Sequence, residues 1–280
     1  MATPAIHLLK LARPDLEIAV VVEERFAAVF EGNPDIAAVL MPAARAIRGF
    51  APELCVNLHG GTRSARLTLL SGARIRAGFD IFKPGWIYNV AIPTAQETLG
   101  VTRRVHTAEH MASAMFYMGV PVGEVPRARM FAPAGRSMHA PAGAYAVIHP
   151  FAATPEKTWS AAGFVAAGRR MREMGLDPVF IGASSDDLTP FREFRTLVGA
   201  PLSEVKELLA SASFFVGNDS GPAHMAAAFG LPVVVMFGSS NPAIWGPWRT
   251  PSEIVTSPGG IAAIETSQVL DAMARLKVAA

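Results

Sequence analysis

The polar segment NDSGP, residues 218–222, lies between two strongly apolar runs, and His224 follows it after one more residue. The run before it, residues 213–217, has the composition of a buried strand, and the small residues after it indicate a helix. Pro222 suits the first turn of that helix, and Gly230 suits its end. We therefore predict a strand-to-helix turn at the carboxyl edge of a parallel sheet, where open α/β proteins bind their ligands.

Several groups in this turn are suited to a phosphate and a sugar. The helix start presents free N–H groups and the positive end of the helix dipole, which favour an anion. Gly221 would let a ligand approach the backbone, Ser220 could cap the helix or bind a phosphate oxygen, and Asp219 could accept hydrogen bonds from sugar hydroxyls. The alternative is structural only: Asp219 and Ser220 cap the helix, and His224 is an ordinary helix residue.

A second turn of the same kind lies within residues 148–164, IHPFAATPEKTWSAAGF, where a buried strand again precedes a helix. Its loop carries Thr154, Lys157 and Thr158, and the Lys157 ammonium could meet a diphosphate as a point charge. The alternative is that Lys157 is an ordinary solvated lysine. Trp159 is expected to pack in the core rather than to stack on a ligand. Two phosphate-suited turns in one domain favour a shared anion site.

The elements that must position these turns alternate along the chain. Apolar runs predict strands over residues 17–23, 53–60, 145–151, 177–182, 213–217 and 232–238. Helices are expected over residues 160–175, 203–212, 222–229 and 267–280, with Ser160 and Ser203 as N-caps and Gly175 as a C-terminal stop. Near-continuous apolar strands between amphipathic helices are typical of α/β folds with parallel sheets.

Length and composition limit the class of protein. The chain has 280 residues, 51% of them hydrophobic, which is enough for one large domain or two of ordinary size. The formal net charge of +2 implies no strong attraction to nucleic acid, and the single cysteine, Cys55, excludes an internal disulfide framework. We find no signal peptide and no apolar run long enough to span a membrane, so a cytoplasmic protein is expected. Residues 127–144, rich in Pro, Gly and Ala, are expected to form an interdomain linker.

The turn sequences resemble those of a known family. Residues 217–247, GNDSGPAHMAAAFGLPVVVMFGSSNPAIWGP, are similar to the signature of glycosyltransferase family 9, the heptosyltransferase-like enzymes of lipopolysaccharide core assembly. Residues 148–159 resemble the family's loop ending in Lys-x-Trp. Residues 56–80 resemble its acceptor-side segment, and residues 3–23 its first helix and second strand. The resemblance covers nearly the whole chain in the right order.

The resemblance implies a GT-B architecture, in which two Rossmann-like domains with parallel sheets face a cleft. Residues 1–135 would form the acceptor-side domain, and residues 136–280 the nucleotide-sugar-binding domain with its C-terminal helix. The implied reaction is an inverting transfer of a sugar, with heptose the first expectation, from a nucleoside diphosphate to a lipopolysaccharide-core or related glycan. It needs no metal and no cofactor besides the donor, for which ADP-heptose is expected. The acceptor would be a lipid-linked glycan, so attachment to the inner face of the cell membrane is an option.

Roles of residues follow from the resemblance position by position. Lys157, Ser220 and Gly221 would hold the diphosphate, with Thr154 as a helper. Asp219 would contact the donor sugar.

The resemblance implies less specific roles for the other positions. His224 would sit near the phosphates or brace the loop. Asp186 lies where the family often has a glutamate that contacts the ribose, and Ala200 lies where backbone groups read the adenine. His59 and Arg63 would belong to the acceptor side, although both could be ordinary loop residues.

The catalytic base is the main departure from the family pattern. In the family, this base is an aspartate in a Gly-rich loop after the first strand, and the strand, loop and aspartate are all absent from this sequence. The catalytic residue is therefore unknown, and we expect a chain that is incomplete at its N-terminus and poor at transfer.

Two further functions stay open: a catalytically impaired protein that only binds nucleotide sugars, and a sugar-nucleotide epimerase. A dinucleotide dehydrogenase is disfavoured, because no Gly-x-Gly-x-x-Gly segment follows a strand.

Overall fold

The computed structural model describes residues 1–276 and divides into two compact units, Met1–Pro126 and a second unit that begins at Arg127. Strands and helices alternate in both units, and all strand pairs in the described chain are parallel. The predicted α/β class is therefore confirmed. Residues 127–144, predicted as a linker, contain neither helix nor strand. The acceptor and donor roles of the two halves stay predictions.

The first unit contains two small parallel sheets. One pairs β1 (Ala19–Val21) with β2 (Ala38–Leu40), and the other has the order β3-β4-β5, formed by Leu54–Asn57, Ile75–Phe79 and Val90–Ile92. Its helices are α1 (Thr3–Ala12), α2 (Ala44–Phe50), α3 (Thr62–Leu70), α4 (Ala95–Leu99) and α5 (Thr107–Tyr117). The strands predicted over residues 17–23 and 53–60 are present as β1 and β3, but both are shorter than expected.

The second unit is built on a single sheet with the order β11-β10-β9-β6-β7-β8. The strands are β6 (Tyr145–His149), β7 (Asp177–Gly182), β8 (Arg195–Val198), β9 (Phe214–Asn218), β10 (Val233–Met236) and β11 (Ser252–Val255). Chain order reverses between β6 and β9, as in doubly wound nucleotide-binding sheets. Both predicted polar turns follow these two strands, so the topology brings them to the same place on the sheet edge.

Helices cover this sheet and fix its central strands. They are α6 (Ala161–Glu173), α7 (Leu202–Ala210), α8 (Gly221–Phe229), α9 (Pro242–Trp245) and α10 (Thr266–Arg275). Every residue of β9 is buried, as are all four of β10. Each large apolar side chain buried in this way stabilises the fold by about 1.5–3 kcal/mol. The turns after β6 and β9 therefore follow strands that the core holds in place.

The helix ends test the predicted caps. Ser160 caps α6, since its Oγ accepts the N–H of Gly163 at 3.1 Å. Gly175 follows α6 at a φ of 79°, and Gly230 ends α8 in the left-handed conformation, as expected of C-terminal glycines. Pro222 lies in the first turn of α8, also as predicted.

Two predictions about helix ends need correction or restriction. The prediction of Ser203 as an N-cap is wrong, because α7 begins at Leu202 and places Ser203 inside its first turn. The C-terminal helix predicted over residues 267–280 is present as α10, but residues 277–280 lie outside the described part of the chain. Within residues 1–276, the structure contains no helix with both the length and the apolar character needed to span a membrane.

Candidate functional site

A cavity of about 300 Å³ lies at the carboxyl edge of the second unit's sheet, where β6 and β9 adjoin. Its lining combines two predicted turns with one further loop after β7. The residues that line it are His149, Phe151, Ala152, Ala153, Lys157, Asp186, Asp219, Ser220, Gly221 and Pro222. The structure thus brings together five of the seven predicted donor-binding residues, and the topology explains why.

Asn218 ties the two polar turns together. It is fully buried at the end of β9, where its Oδ1 accepts the backbone N–H of Trp159 at 3.0 Å. Its Nδ2 donates to the carbonyl oxygen of Pro150, also at 3.0 Å. A buried amide with both ends satisfied fixes the turn after β6 against the end of β9. Sequence reasoning gave Asn218 no role, although a polar residue closing a fully apolar strand was a usable signal.

Gly238 lets the Lys157 loop lie close to β10. Residues Pro155–Lys157 form a short 3-10 turn, and a Cβ atom at position 238 would overlap the carbonyl oxygen of Glu156. The neighbouring Trp159 is buried, and its indole N–H donates to the carbonyl oxygen of Ile264 at 2.9 Å. Trp159 is therefore the packing residue that the sequence predicted, and together these contacts hold Lys157 at the cavity.

Asp219 lies between two nitrogen-bearing side chains. Its carboxylate is 3.6 Å from Lys157 Nζ and 3.7 Å from His224 Nε2, and its side chain is only 8% exposed. The Lys157 side chain is one-third exposed and lines the cavity, with its ammonium beside the Asp219 carboxylate. An anion that enters the cavity would find a cation already positioned, whereas an isolated solvated lysine would first have to be ordered. The predicted bracing of the loop by His224 is consistent with this geometry.

Ser220 occupies the N-cap position of α8, but its side chain does not cap the helix. Its Oγ instead lies 3.0 Å from His149 Nδ1. The first N–H groups of α8 are thus left uncapped by Ser220, and they point the positive end of the helix dipole at the cavity edge. A Cβ atom added at Gly221 would meet no atom within 4 Å, so the backbone there is open to a ligand.

His149 is the functional candidate that the sequence reasoning missed. It is the last residue of β6, and it lines the cavity beside Ser220. Burial lowers the pKa of His149 to about 4, and the carboxylate of Asp186 opposes this shift only in part. The imidazole is therefore neutral near pH 7. The sequence pattern did not single out His149, because it lies at the end of an apolar strand and not inside a polar segment.

Only one of the remaining donor-side candidates, Asp186, lines the cavity. Its Oδ2 accepts the N–H of Ala183 at 2.8 Å, which closes the loop after β7. Thr154 is exposed and is not among the lining residues; its carbonyl oxygen accepts hydrogen bonds within the turn from Lys157 N and Thr158 Oγ1. Ala200 follows β8 and is also outside the lining.

The acceptor-side candidates share one turn of the first unit. Asn57, buried at the end of β3, accepts the N–H groups of His59 and Gly60 at 3.0 and 3.1 Å. The His59 side chain is exposed, with Nδ1 accepting the N–H of Gly61. Arg63 is exposed as well and pairs with Glu23 at 2.8 Å. Both residues are thus at the carboxyl end of a parallel strand, and their acceptor role stays a prediction.

Metal-ligating side chains are not clustered in the described chain. Among residues 1–276, no three His, Cys, Asp or Glu side chains form a group that could hold a metal ion.

Fold and cavity together define a class: doubly wound α/β proteins that bind ligands at the carboxyl ends of their strands. Comparison with known proteins then gives the family. The model of glycosyltransferase family 9 (heptosyltransferase) matches residues 42–269, and the chain belongs to this family. It is 25% identical over 289 residues to lipopolysaccharide heptosyltransferase 3 from Escherichia coli, an alignment covering 89% of this chain and 82% of the relative. The family resemblance and the enzyme class predicted from the sequence are confirmed.

Solved structures of the family share the fold. A glycosyltransferase of family 9 from Veillonella parvula DSM 2008 matches with a TM-score of 0.81 and 20% identity, over 98% of this chain and 92% of that one. The E. coli heptosyltransferase WaaC with ADP matches with a TM-score of 0.77 and 18% identity, over 98% and 94% of the two chains. These likenesses confirm the predicted GT-B type of fold.

Proposed function

We propose that this glycosyltransferase transfers heptose from ADP-heptose to a glycan acceptor of the lipopolysaccharide core or a related glycan, with inversion and without a metal. The observation that carries the proposal is the cavity at the β6/β9 edge, where Lys157, Ser220 and Gly221 converge on one anion-suited space. The E. coli relatives named above support the choice of heptose and of ADP, since one is a heptosyltransferase and another was solved with ADP.

The chemistry assigns each side of the cavity a task. When an acceptor hydroxyl attacks the anomeric carbon, a new C–O bond forms as the bond to the leaving diphosphate breaks. The hydroxyl proton passes to solvent, and negative charge grows on the phosphate oxygens. Lys157 and the first N–H groups of α8 are placed to stabilise that charge, because fixed dipoles and a cation act strongly in a partly enclosed site. Asp219, 3.6 Å from Lys157, would accept hydrogen bonds from the sugar next to the diphosphate. A single displacement of this kind inverts the anomeric configuration.

A transfer assay tests the proposal. The chain is incubated with ADP-heptose and a purified lipopolysaccharide acceptor that lacks the heptose, and ADP and product are quantified together. Because no catalytic base is identified in this chain, we expect slow transfer. ADP and the heptosylated product of inverted configuration should still form in equimolar amounts, and both should be lost in Lys157→Ala. Arg192→Ala, which removes an exposed cation of the same unit outside the cavity, is the matched control. ADP-heptose binding without product would favour a nucleotide-sugar-binding protein, and an isomerised sugar nucleotide would favour an epimerase.

The proposal also includes a lipid-linked acceptor at the membrane surface, supported by one loop of the first unit. Phe82 and Tyr88 pack this loop onto the core beside Ala65, while Ile81 is 61% and Trp86 72% exposed. Lys83 lies between the two exposed side chains in the sequence. Exposed Trp and Ile in one loop with a lysine suit a lipid interface, where an aromatic ring lies at the headgroup level and a cation meets phosphate.

Vesicle sedimentation tests the lipid contact. We expect the chain to sediment with vesicles containing phosphatidylglycerol, and the double variant Ile81→Ser/Trp86→Ser to remain in the supernatant. Leu11→Ser is the matched control, since Leu11 is 66% exposed elsewhere in the same unit. Equal sedimentation of all three proteins, or of none, would contradict a role for this loop.

A further inference from the structure

His149 and Ser220 form a polar pair held in place by the two central strands. His149 ends β6 opposite Gly217 of β9, and its Nδ1 lies 3.0 Å from Ser220 Oγ at the start of α8. A Cβ atom at position 217 would lie 2.9 Å from the Phe215 ring and 3.0 Å from the His149 carbonyl oxygen, so glycine permits this close packing. The imidazole also meets the Phe151 ring edge-on, with centroids 6.2 Å apart. The orientation of the imidazole is therefore constrained from several sides.

The direction of the hydrogen bond in this pair decides what Ser220 offers to a ligand. If Ser220 donates to an unprotonated Nδ1, its hydroxyl proton is used up and only oxygen lone pairs face the cavity, which repels an anion. If Nδ1–H donates to Ser220 Oγ, the hydroxyl proton is free to donate to a phosphate oxygen. Both residues line the cavity, so an anionic ligand selects the second arrangement.

The surroundings of the pair determine the charge of the imidazole. Asp186 is the carboxylate that acts on His149, and Lys157 and Asp219 line the same cavity. Because burial keeps the imidazole neutral, one ring nitrogen carries a proton and the other does not. The tautomer of His149 therefore determines whether the Ser220 hydroxyl donates its proton to the imidazole or to a ligand.

We propose that His149 is a positioning residue of the diphosphate site: its Nδ1–H donates to Ser220 Oγ and directs the Ser220 hydroxyl proton toward a phosphate oxygen. The inference rests on the proposed function, since it requires a diphosphate in the cavity. It goes beyond that function by assigning a tautomer and a task to a residue that does not itself need to contact the ligand.

A double-mutant cycle on ADP affinity, measured by calorimetry, tests the coupling. Loss of a hydrogen bond to a charged group predicts an affinity loss of about tenfold or more for Ser220→Ala, and a similar loss for His149→Ala. The double variant should be no weaker than Ser220→Ala alone, because His149 acts through the Ser220 hydroxyl. His149→Asn should keep ADP affinity within about threefold, since its amide N–H can replace Nδ1–H.

Nitrogen NMR of the wild-type imidazoles measures the tautomer of His149, which ADP would leave unchanged if the residue had only a structural role. We expect ADP saturation to give the Nδ1–H tautomer of His149, and this preference to weaken in Ser220→Ala. Additive losses in the cycle, or an Nε2–H tautomer in the ADP complex, would overturn the assignment while leaving the diphosphate site intact. Failure of the folded wild-type chain to bind ADP at all would instead overturn the proposed function, and the assignment with it.

Discussion

At the scale of single residues, Asp219 has two effects on an anion in the cavity. Its carboxylate pairs with Lys157 at 3.6 Å, which orients the ammonium, and it also places a negative charge beside the space for the phosphates. When ADP binds alone, no sugar hydroxyl donates to the Asp219 carboxylate, so nothing offsets its repulsion of the phosphates. In a nucleotide sugar, hydroxyl donors would offset it. The side chain should therefore discriminate between the two ligands.

We predict that Asp219→Asn leaves ADP affinity unchanged or raises it up to about threefold, but weakens ADP-heptose by about tenfold, the effect of losing a charged hydrogen-bond acceptor. Calorimetry with both ligands measures the difference. Asp271→Asn, a carboxylate change on α10 away from the cavity, is the control. If Asp219→Asn weakened ADP and ADP-heptose equally, the side chain would be a structural member of the turn and not a sugar contact.

The residues that sequence analysis could identify are those whose type is unusual for their position. Lys157, Asp219, Ser220 and Gly221 stand out because they interrupt apolar patterns between a strand and a helix. His149 was concealed because it closes an apolar run, and its partner at position 220 is 71 residues away in the chain. A contact over that separation follows only from the pairing of β6 with β9, which no local pattern specifies.

At the scale of elements, two glycines near the cavity differ in whether the surrounding protein requires a residue without a side chain. Gly238 is required by the protein, since a Cβ atom there would overlap the Glu156 carbonyl oxygen in the Lys157 loop. Gly221 is not required by any protein atom, because a Cβ atom there would enter open space at the start of α8. Only a ligand would explain a need for glycine at position 221.

We predict that Gly221→Ala keeps its melting temperature but loses about tenfold or more in ADP affinity, because the methyl group would occupy the space of a phosphate oxygen held by backbone N–H groups. Gly238→Ala should lower both the melting temperature and the ADP affinity, since the Lys157 loop must move. Thermal unfolding and calorimetry on the two variants measure this. Undiminished ADP binding by Gly221→Ala would show that no ligand approaches that part of the backbone.

The strands that sequence analysis predicted correctly are mainly those with long apolar runs. The runs over residues 145–151, 177–182, 213–217 and 232–238 became β6, β7, β9 and β10, which include the centre of the sheet. The edge strands β8 and β11 were missed, because edge strands are only partly covered and carry charged residues such as Arg195 and Glu253. In the first unit β2, β4 and β5 were missed for a related reason, since they are three to five residues long and incompletely buried.

At the scale of the whole molecule, the neutral His149 links stability to pH. Its pKa is about 4 in the folded protein and about 6.5 when exposed, so the unfolded chain takes up a proton first as the pH falls. The free energy of unfolding should therefore decrease between pH 6.5 and pH 4, by up to about 3 kcal/mol from this residue. The carboxylate of Asp186 opposes the shift and is included in it.

We predict that acid lowers the free energy of unfolding of the wild-type chain more than that of His149→Asn, in which position 149 no longer titrates. Urea unfolding of both proteins at pH 7 and pH 4 gives the two differences in free energy, and other titrating groups contribute equally to each. If the two proteins lost the same free energy over this range, burial of a neutral His149 would not be a feature of the folded state.

The central claim is that the edge between β6 and β9 holds the diphosphate of a nucleotide sugar. Calorimetric titration of ADP into the wild type, Lys157→Ala and the control Arg192→Ala tests it most directly. Removing a positioned cation should cost about 1.5–3 kcal/mol, so we predict that Lys157→Ala binds ADP at least about tenfold more weakly while Arg192→Ala binds it normally. Equal ADP affinity in all three proteins would contradict the account.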